Sequence, residues 1–180
     1  MVVALPPLTS RAAGSRITAA IYQQDITDSI NFLLNPVNFT GTQSVAQSLP
    51  NSAWTAITLD TSQTDPYAGH SNVTNSSRYT CPAGCAGWYT VCGVVAYSPN
   101  ATGFRTARIQ INGSGISGQT SYGPNNGGAE TITVTGTRDI FLNAGDYVEV
   151  AGYQSSGGAL NTAVSPSPAS ALWLRFSHGA

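Results

Sequence analysis

Alternation, more than helical spacing, governs this chain. From Trp88 to Tyr97 β-branched and aromatic residues are dense, with no charge and no proline before Pro99, which predicts the longest strand. One face of it would carry Trp88, Thr90, Cys92, Val94 and Ala96, the other Tyr89, Val91, Gly93, Val95 and Tyr97. Neither face is polar, so the strand is expected to lie centrally, with a core on one side and another protein surface on the other. Shorter runs predict further strands at Trp54–Leu59, Arg78–Cys81, Phe104–Ile111, Glu130–Thr135, Arg138–Leu142, Tyr147–Tyr153 and Ala171–Phe176. Between them stand turn signals: Ser98–Gly103, the hairpin pair Asn112-Gly113, Thr135-Gly-Thr and Asn143-Ala-Gly-Asp. Many short strands so punctuated predict an all-β, two-sheet antiparallel sandwich. Their spacing fits a jelly roll and leaves an immunoglobulin-like order open.

The first 52 residues follow other rules. Residues 1–14 are apolar and proline-bearing, and read as an extended arm. From Ile17 the period turns helical: Ile17, Ile21, Ile26, Ile30, Leu33 and Leu34 line one broad face, Ser15 or Thr18 can cap the start, and Pro36 stops it. An amphipathic helix is therefore expected over 15–35, then a polar linker over 36–52, with the β domain filling 53–180. The opening run lacks a basic start and is broken by Pro6 and Pro7, so it does not read as a signal peptide.

Composition narrows the partners. Only 8 % of the 180 residues are charged and the formal net charge is -1, so the surface must meet water through hydroxyls and amides. With no basic patch, nucleic acid is a poor partner, and no apolar run is long enough for a membrane span. Cys81, Cys85 and Cys92 are odd in number and lack nearby histidines, which argues against zinc; Cys81 and Cys85 flank a turn and are placed to bridge, while Cys92 reads as a small buried hydrophobe. Asp60 and Asp65 bracket a loop with His70, but no alternating oxygen-ligand loop is present, and Asp146 after Gly145 reads as a turn residue. No nucleophile, base or paired-carboxylate pattern emerges. We expect no enzyme, no catalytic residue, no metal and no cofactor.

Two resemblances sharpen this. Arg78-Tyr-Thr-Cys-Pro82, then Gly87-Trp-Tyr89, and later Ile140-Phe-Leu-Asn-Ala-Gly-Asp-Tyr-Val-Glu-Val150 and Ala171-Leu-Trp-Leu-Arg-Phe176 resemble, in order and spacing, the globular heads of the complement C1q and tumour-necrosis-factor (TNF) families. The likeness spans roughly residues 53–178; the turn after Pro82 is longer than usual, and no Gly-X-Y collagen repeat occurs. It implies a C1q/TNF-like jelly roll acting as a binding or structural module in a homotrimer. For such a trimer the expected threefold contact is Tyr89, Val91, Val95, Tyr97, Tyr147 and Tyr153. Separately, Arg16–Pro36 resembles an attachment segment ahead of variable β domains in virion proteins of actinobacteriophages. That implies a virion structural protein, on the capsid surface or tail, held to the major capsid or another virion protein by Val2, Val3, Leu5, Leu8, Ile17, Ile21, Ile26 and Ile30. A trimeric head decoration (minor capsid) protein is the leading expectation. The alternative is a tail or fibre adhesin that binds a host surface glycan or protein through loops 60–77 and 112–129.

Overall fold

The computed structural model describes residues 4–6, 10–164 and 168–179. Two antiparallel sheets face each other. The first contains β1 (Asn38–Thr42), β4 (Thr61–Thr64), β6 (Gly87–Tyr97), β9 (Thr131–Val134), β10 (Arg138–Leu142) and β13 (Ala171–His178), in the order β10-β6-β13-β1-β4, with β9 also paired to β6. The second contains β3 (Thr55–Ala56), β5 (Arg78–Thr80), β7 (Phe104–Ile111), β8 (Ser114–Pro124) and β11 (Tyr147–Gln154), in the order β3-β11-β7-β8, with β5 also on β11. A small ladder joins β2 (Ser48–Leu49) to β12 (Leu160–Asn161). This is the expected all-β jelly-roll sandwich.

The core fills the gap between the sheets. From β6 it receives Tyr89, Val91, Val95 and Tyr97, which join Ile109 of β7, Val148 and Val150 of β11, and Leu172 and Leu174 of β13. Four residues of the expected trimer contact are thus wholly buried within one protomer, which corrects that assignment. Gly93 shows why this face must be the inner one. A Cβ there would stand 2.6 Å from Val150 Cγ2, so the sheets approach too closely for any side chain. The tyrosine hydroxyls do not need water, since Tyr89 donates to Cys85 O (2.6 Å) and Tyr97 to Thr106 O.

Residues 36–52 are not a linker. They supply β1 and β2, and β1 lies inside the first sheet between β13 and β4, burying Phe39. The loop expected over 112–129 is largely strand: Asn112 (φ 50°) and Gly113 (φ 78°) form the two-residue turn that folds β8 back on β7, pairing Ile111 with Ser114. Cys81, Cys85 and Cys92 are all free, buried thiols, so the turn after Pro82 is not bridged.

The helix is shorter than expected and comes in three pieces: α1 (Ala19–Tyr22), a π-helical turn over Gln23–Thr27, and α2 (Asp28–Leu34). Thr18 Oγ1 caps it by accepting from Ile21 N. Phe32 is its buried residue and meets Phe176 edge-on, centroids 5.0 Å apart. The helix therefore touches the sandwich at its C-terminal end.

Candidate interaction surfaces

With Tyr89, Val91, Val95 and Tyr97 turned inward, the other face of β6 is the one left open. Cross-strand register places Val134 of β9, Val94 of β6 and Ala171 of β13 side by side, with Ile132 and Trp173 flanking them. Ile132 and Val134 are about half exposed, at 51 % and 49 %, and Trp173 at 37 %. Farther along the same face Trp88 packs on Phe141 and His178 (5.6 and 5.9 Å between centroids). Polar groups between them are satisfied within the sheet, as Asp139 accepts from Thr90 Oγ1 and Ser177 Oγ. Arg138 turns away from Asp139 and donates to Ser117 O (2.9 Å), so these neighbours form no pair with each other. The result is an apolar strip in which Cys92 and Ala96 are buried while Ile132, Val134, Trp173 and Trp88 stand partly in solvent.

The remaining two residues of the expected contact lie elsewhere. Tyr147 and Tyr153 stand on the outward face of the second sheet, Tyr147 under the Arg78 guanidinium (4.4 Å) and Tyr153 beside Trp54 and Phe104. The six residues do not form one surface.

The N-terminal segment is mostly uncovered. Ile17 is 75 % exposed, Ile26 and Ile30 are exposed, and Ile21 is half-buried; Leu33 and Leu34 also face solvent. Arg11 holds the preceding arm against the helix through a two-pronged bond to the Asp25 carboxylate (2.9 and 3.0 Å). Leu5 is committed to its own domain, with N–H donating to Gly84 O (2.9 Å) and its side chain packed on the core. Val2, Val3 and Leu8 lie outside the described residues.

The cleft near the cysteine turn, about 570 Å³, is lined by His70, Arg78, Thr80, Cys81 and Pro82 among others. Its chemistry is spent on structure. Both His70 ring nitrogens meet backbone carbonyls, of Arg78 (2.8 Å) and Leu59 (2.9 Å). Burial pushes the Cys81 and Cys85 thiols above their ordinary values, away from the nucleophilic thiolate. Asp65 accepts from the amides of Gly69 and His70. For Asp60, burial acts to raise its pKa, but the bonds it accepts from the Ser44 and Val45 amides win, and the carboxyl titrates below its usual range. Asp146 is lowered too, by hydrogen bonds from Asn112 and Asn143 that knit the β7–β8 turn to the Asn143–Asp146 turn. Among the described residues no three His, Cys, Asp or Glu side chains gather to share a metal ion, and no helix is long and apolar enough to cross a membrane.

No protein-family model matches the chain, and no curated protein does. Solved structures do. The globular domain of zebrafish complement 1qA protein superposes with a TM-score of 0.58 at 10 % identity, covering 80 % of this chain and 99 % of that one. Murine APRIL at pH 5.0 gives 0.58 at 10 % identity, covering 78 % and 98 %. Eiger TNF from S. frugiperda gives 0.53 at 16 % identity, covering 80 % and 92 %. Identities this low speak for the fold alone, and the fold of this chain is the C1q/TNF-like jelly roll.

Proposed function

We propose that this chain is a structural subunit of a virion: a homotrimer, fixed to the particle by its N-terminal segment, that decorates the head as a minor capsid protein. The observation that carries the reading is a pair of uncovered apolar surfaces. One is the strip on the first sheet, centred on Val94, Ile132, Val134 and Trp173; the other is the exposed side of the N-terminal segment, with Ile17 just before the helix and Ile26 and Ile30 on it. Two such surfaces suit two partners. A threefold ring requires a heterologous contact, in which the strip of one copy meets a different surface of the next. The helix then remains for the support. The likeness of Arg16–Pro36 to attachment segments of actinobacteriophage virion proteins supports a virion as that support. A low-charge surface favours many shallow contacts, which repetition over a lattice makes strong.

Light scattering of the purified chain is expected to give three times its 18.6 kDa mass. Replacing both Ile132→Asp and Val134→Asp places two charges on the strip and should yield single chains with an unchanged circular dichroism spectrum. A wild-type protein that is monomeric at micromolar concentration rejects the trimer. Electron microscopy of particles carrying the chain should show it on the capsid shell. Density at the tail tip would move it to the adhesin class.

A further inference from the structure

The outward face of the second sheet carries a row of aromatic rings that the assembly reading does not use. Trp54, just before β3, packs on Tyr153 of β11 with centroids 5.4 Å apart. Tyr153 stacks on Phe104 of β7 (5.6 Å, 18° between planes), and Phe104 leans on Tyr122 of β8 (5.7 Å). These rings border a cleft of about 140 Å³. Thr106 also lines it, and is the cross-strand partner of both Tyr153 and Tyr122. The Arg108 guanidinium lies over the Trp54 ring (4.1 Å), steadying the far wall.

Thr106 is the telling residue. It is 1 % exposed, yet its Oγ1 has no hydrogen-bond partner among the described residues. A buried hydroxyl left so loses its hydrogen bonds to water without replacement, a loss that a valine of similar shape would avoid. Tyr122 is the opposite case: a large ring, 71 % exposed, on the wall of the same cleft. A ligand that answers both must present a flat, weakly apolar face to the rings and a hydroxyl to Thr106. No carboxylate lines the cleft among the described residues, so the ligand need carry no positive charge. A pyranose ring meets these conditions. Its axial C–H hydrogens are slightly positive and suit the negative face of an aromatic ring, while its rim is made of hydroxyls.

We propose that this cleft is a subsite for one neutral pyranose unit of a glycan, stacked on Tyr122 and Phe104 and hydrogen-bonded to Thr106 Oγ1. Tyr122 turns aside to admit the sugar, which its exposure leaves it free to do. The site is built from one protomer and lies on the sandwich face opposite the apolar strip. It does not rest on the virion reading.

Saturation-transfer NMR on the full chain, with the methyl pyranosides of glucose, galactose, mannose and N-acetylglucosamine as probes, tests the site. At least one should give a saturable response at millimolar concentration. Tyr122→Ala should weaken it at least tenfold, and Thr106→Val several-fold with no loss in melting temperature. Val73→Ala, in the loop 60–77 and away from the cleft, should leave it unchanged. The proposal is overturned if none of the four sugars saturates at tens of millimolar, if the response survives Tyr122→Ala, or if Val73→Ala removes it. Light scattering of the same samples reports the trimer separately, so failure of one reading is not mistaken for failure of the other.

Discussion

Gly93 settles the orientation of the longest strand. A methyl group there would lie 2.6 and 2.8 Å from Val150 Cγ2 and Cβ, on a stiff β-branched side chain, and 3.0 Å from Ile109 Cδ1, all in the opposite sheet. Gly93→Ala is therefore expected to destabilise the fold by about 1–3 kcal/mol through overpacking, read as a lower melting temperature. Ala96→Gly, on the other face of the same strand, removes a methyl without forcing the sheets apart and provides the comparison. The same residue explains why the two faces are easily exchanged in a reading of the sequence. Period-two alternation correctly separates Tyr89, Val91, Val95 and Tyr97 from Trp88, Thr90, Cys92 and Val94, but both sets are apolar enough to be core. Tyrosines suggest a half-wet contact because each carries a polar tip. Here Cys85 O and Thr106 O accept from those tips inside the protomer. A glycine amid a run of β-branched residues marks close approach of a neighbouring element, here the side chains of the facing sheet, and that signal points to the correct face.

Elements rich in β-branched and aromatic residues are legible in the sequence, and polar ones are not. β6, β7, β10, β11 and β13 coincide with the alternating runs, because burial on at least one face leaves a strong periodic trace. β1 reads Asn-Phe-Thr-Gly-Thr, β4 Thr-Ser-Gln-Thr, and β8 carries Gly115, Gly118 and Gly123; each is held by its neighbours' ladder more than by its own side chains. The ladder that fixes β1 comes from β13, more than a hundred residues along the chain, and leaves no mark on the local sequence. The cleft built from Trp54, Phe104, Thr106, Tyr122 and Tyr153 escapes notice for the same reason, since its members come from four separated segments. The helix shows the same limit. Its spacing marks Ile17, Ile21, Ile26 and Ile30 as a packing face, but the π-helical turn at Gln23–Thr27 and the polar surroundings leave Phe32 as the docked residue. Phe32→Ala should release the helix without melting the sandwich. Removing an aromatic side chain from a buried site costs on the order of 3 kcal/mol, roughly a hundredfold in a local opening equilibrium. Hydrogen exchange of amides 29–34 should accelerate by about that factor, while β6 and β13 stay protected.

At the scale of the whole molecule the proposed function assigns the surfaces to two partners, and truncation tests that division. β1 begins at Asn38 and sits within the first sheet, so the sandwich needs everything from there onward. Phe32 covers Phe176 from outside the sheets, so a deletion that respects the fold must keep it. Removing residues 1–30 meets both conditions. Its cost to the sandwich, among the described residues, is the Leu5 contact, a half-buried side chain and one bond to Gly84 O. The truncated chain is expected to melt within a few degrees of the full one, and to keep the trimer mass, because Val94, Ile132, Val134 and Trp173 all remain. What it gives up is Ile17, Ile21, Ile26, Ile30 and the arm. On the proposed virion reading, co-sedimentation with particles stripped of the protein should therefore fall at least tenfold, with the sugar response at Tyr122 intact. Undiminished sedimentation would place the attachment on the sandwich itself and overturn the role assigned to the helix. A fall in sedimentation accompanied by dissociation to single chains would instead make the helix part of the trimer contact, and the strip on the first sheet would then need another partner.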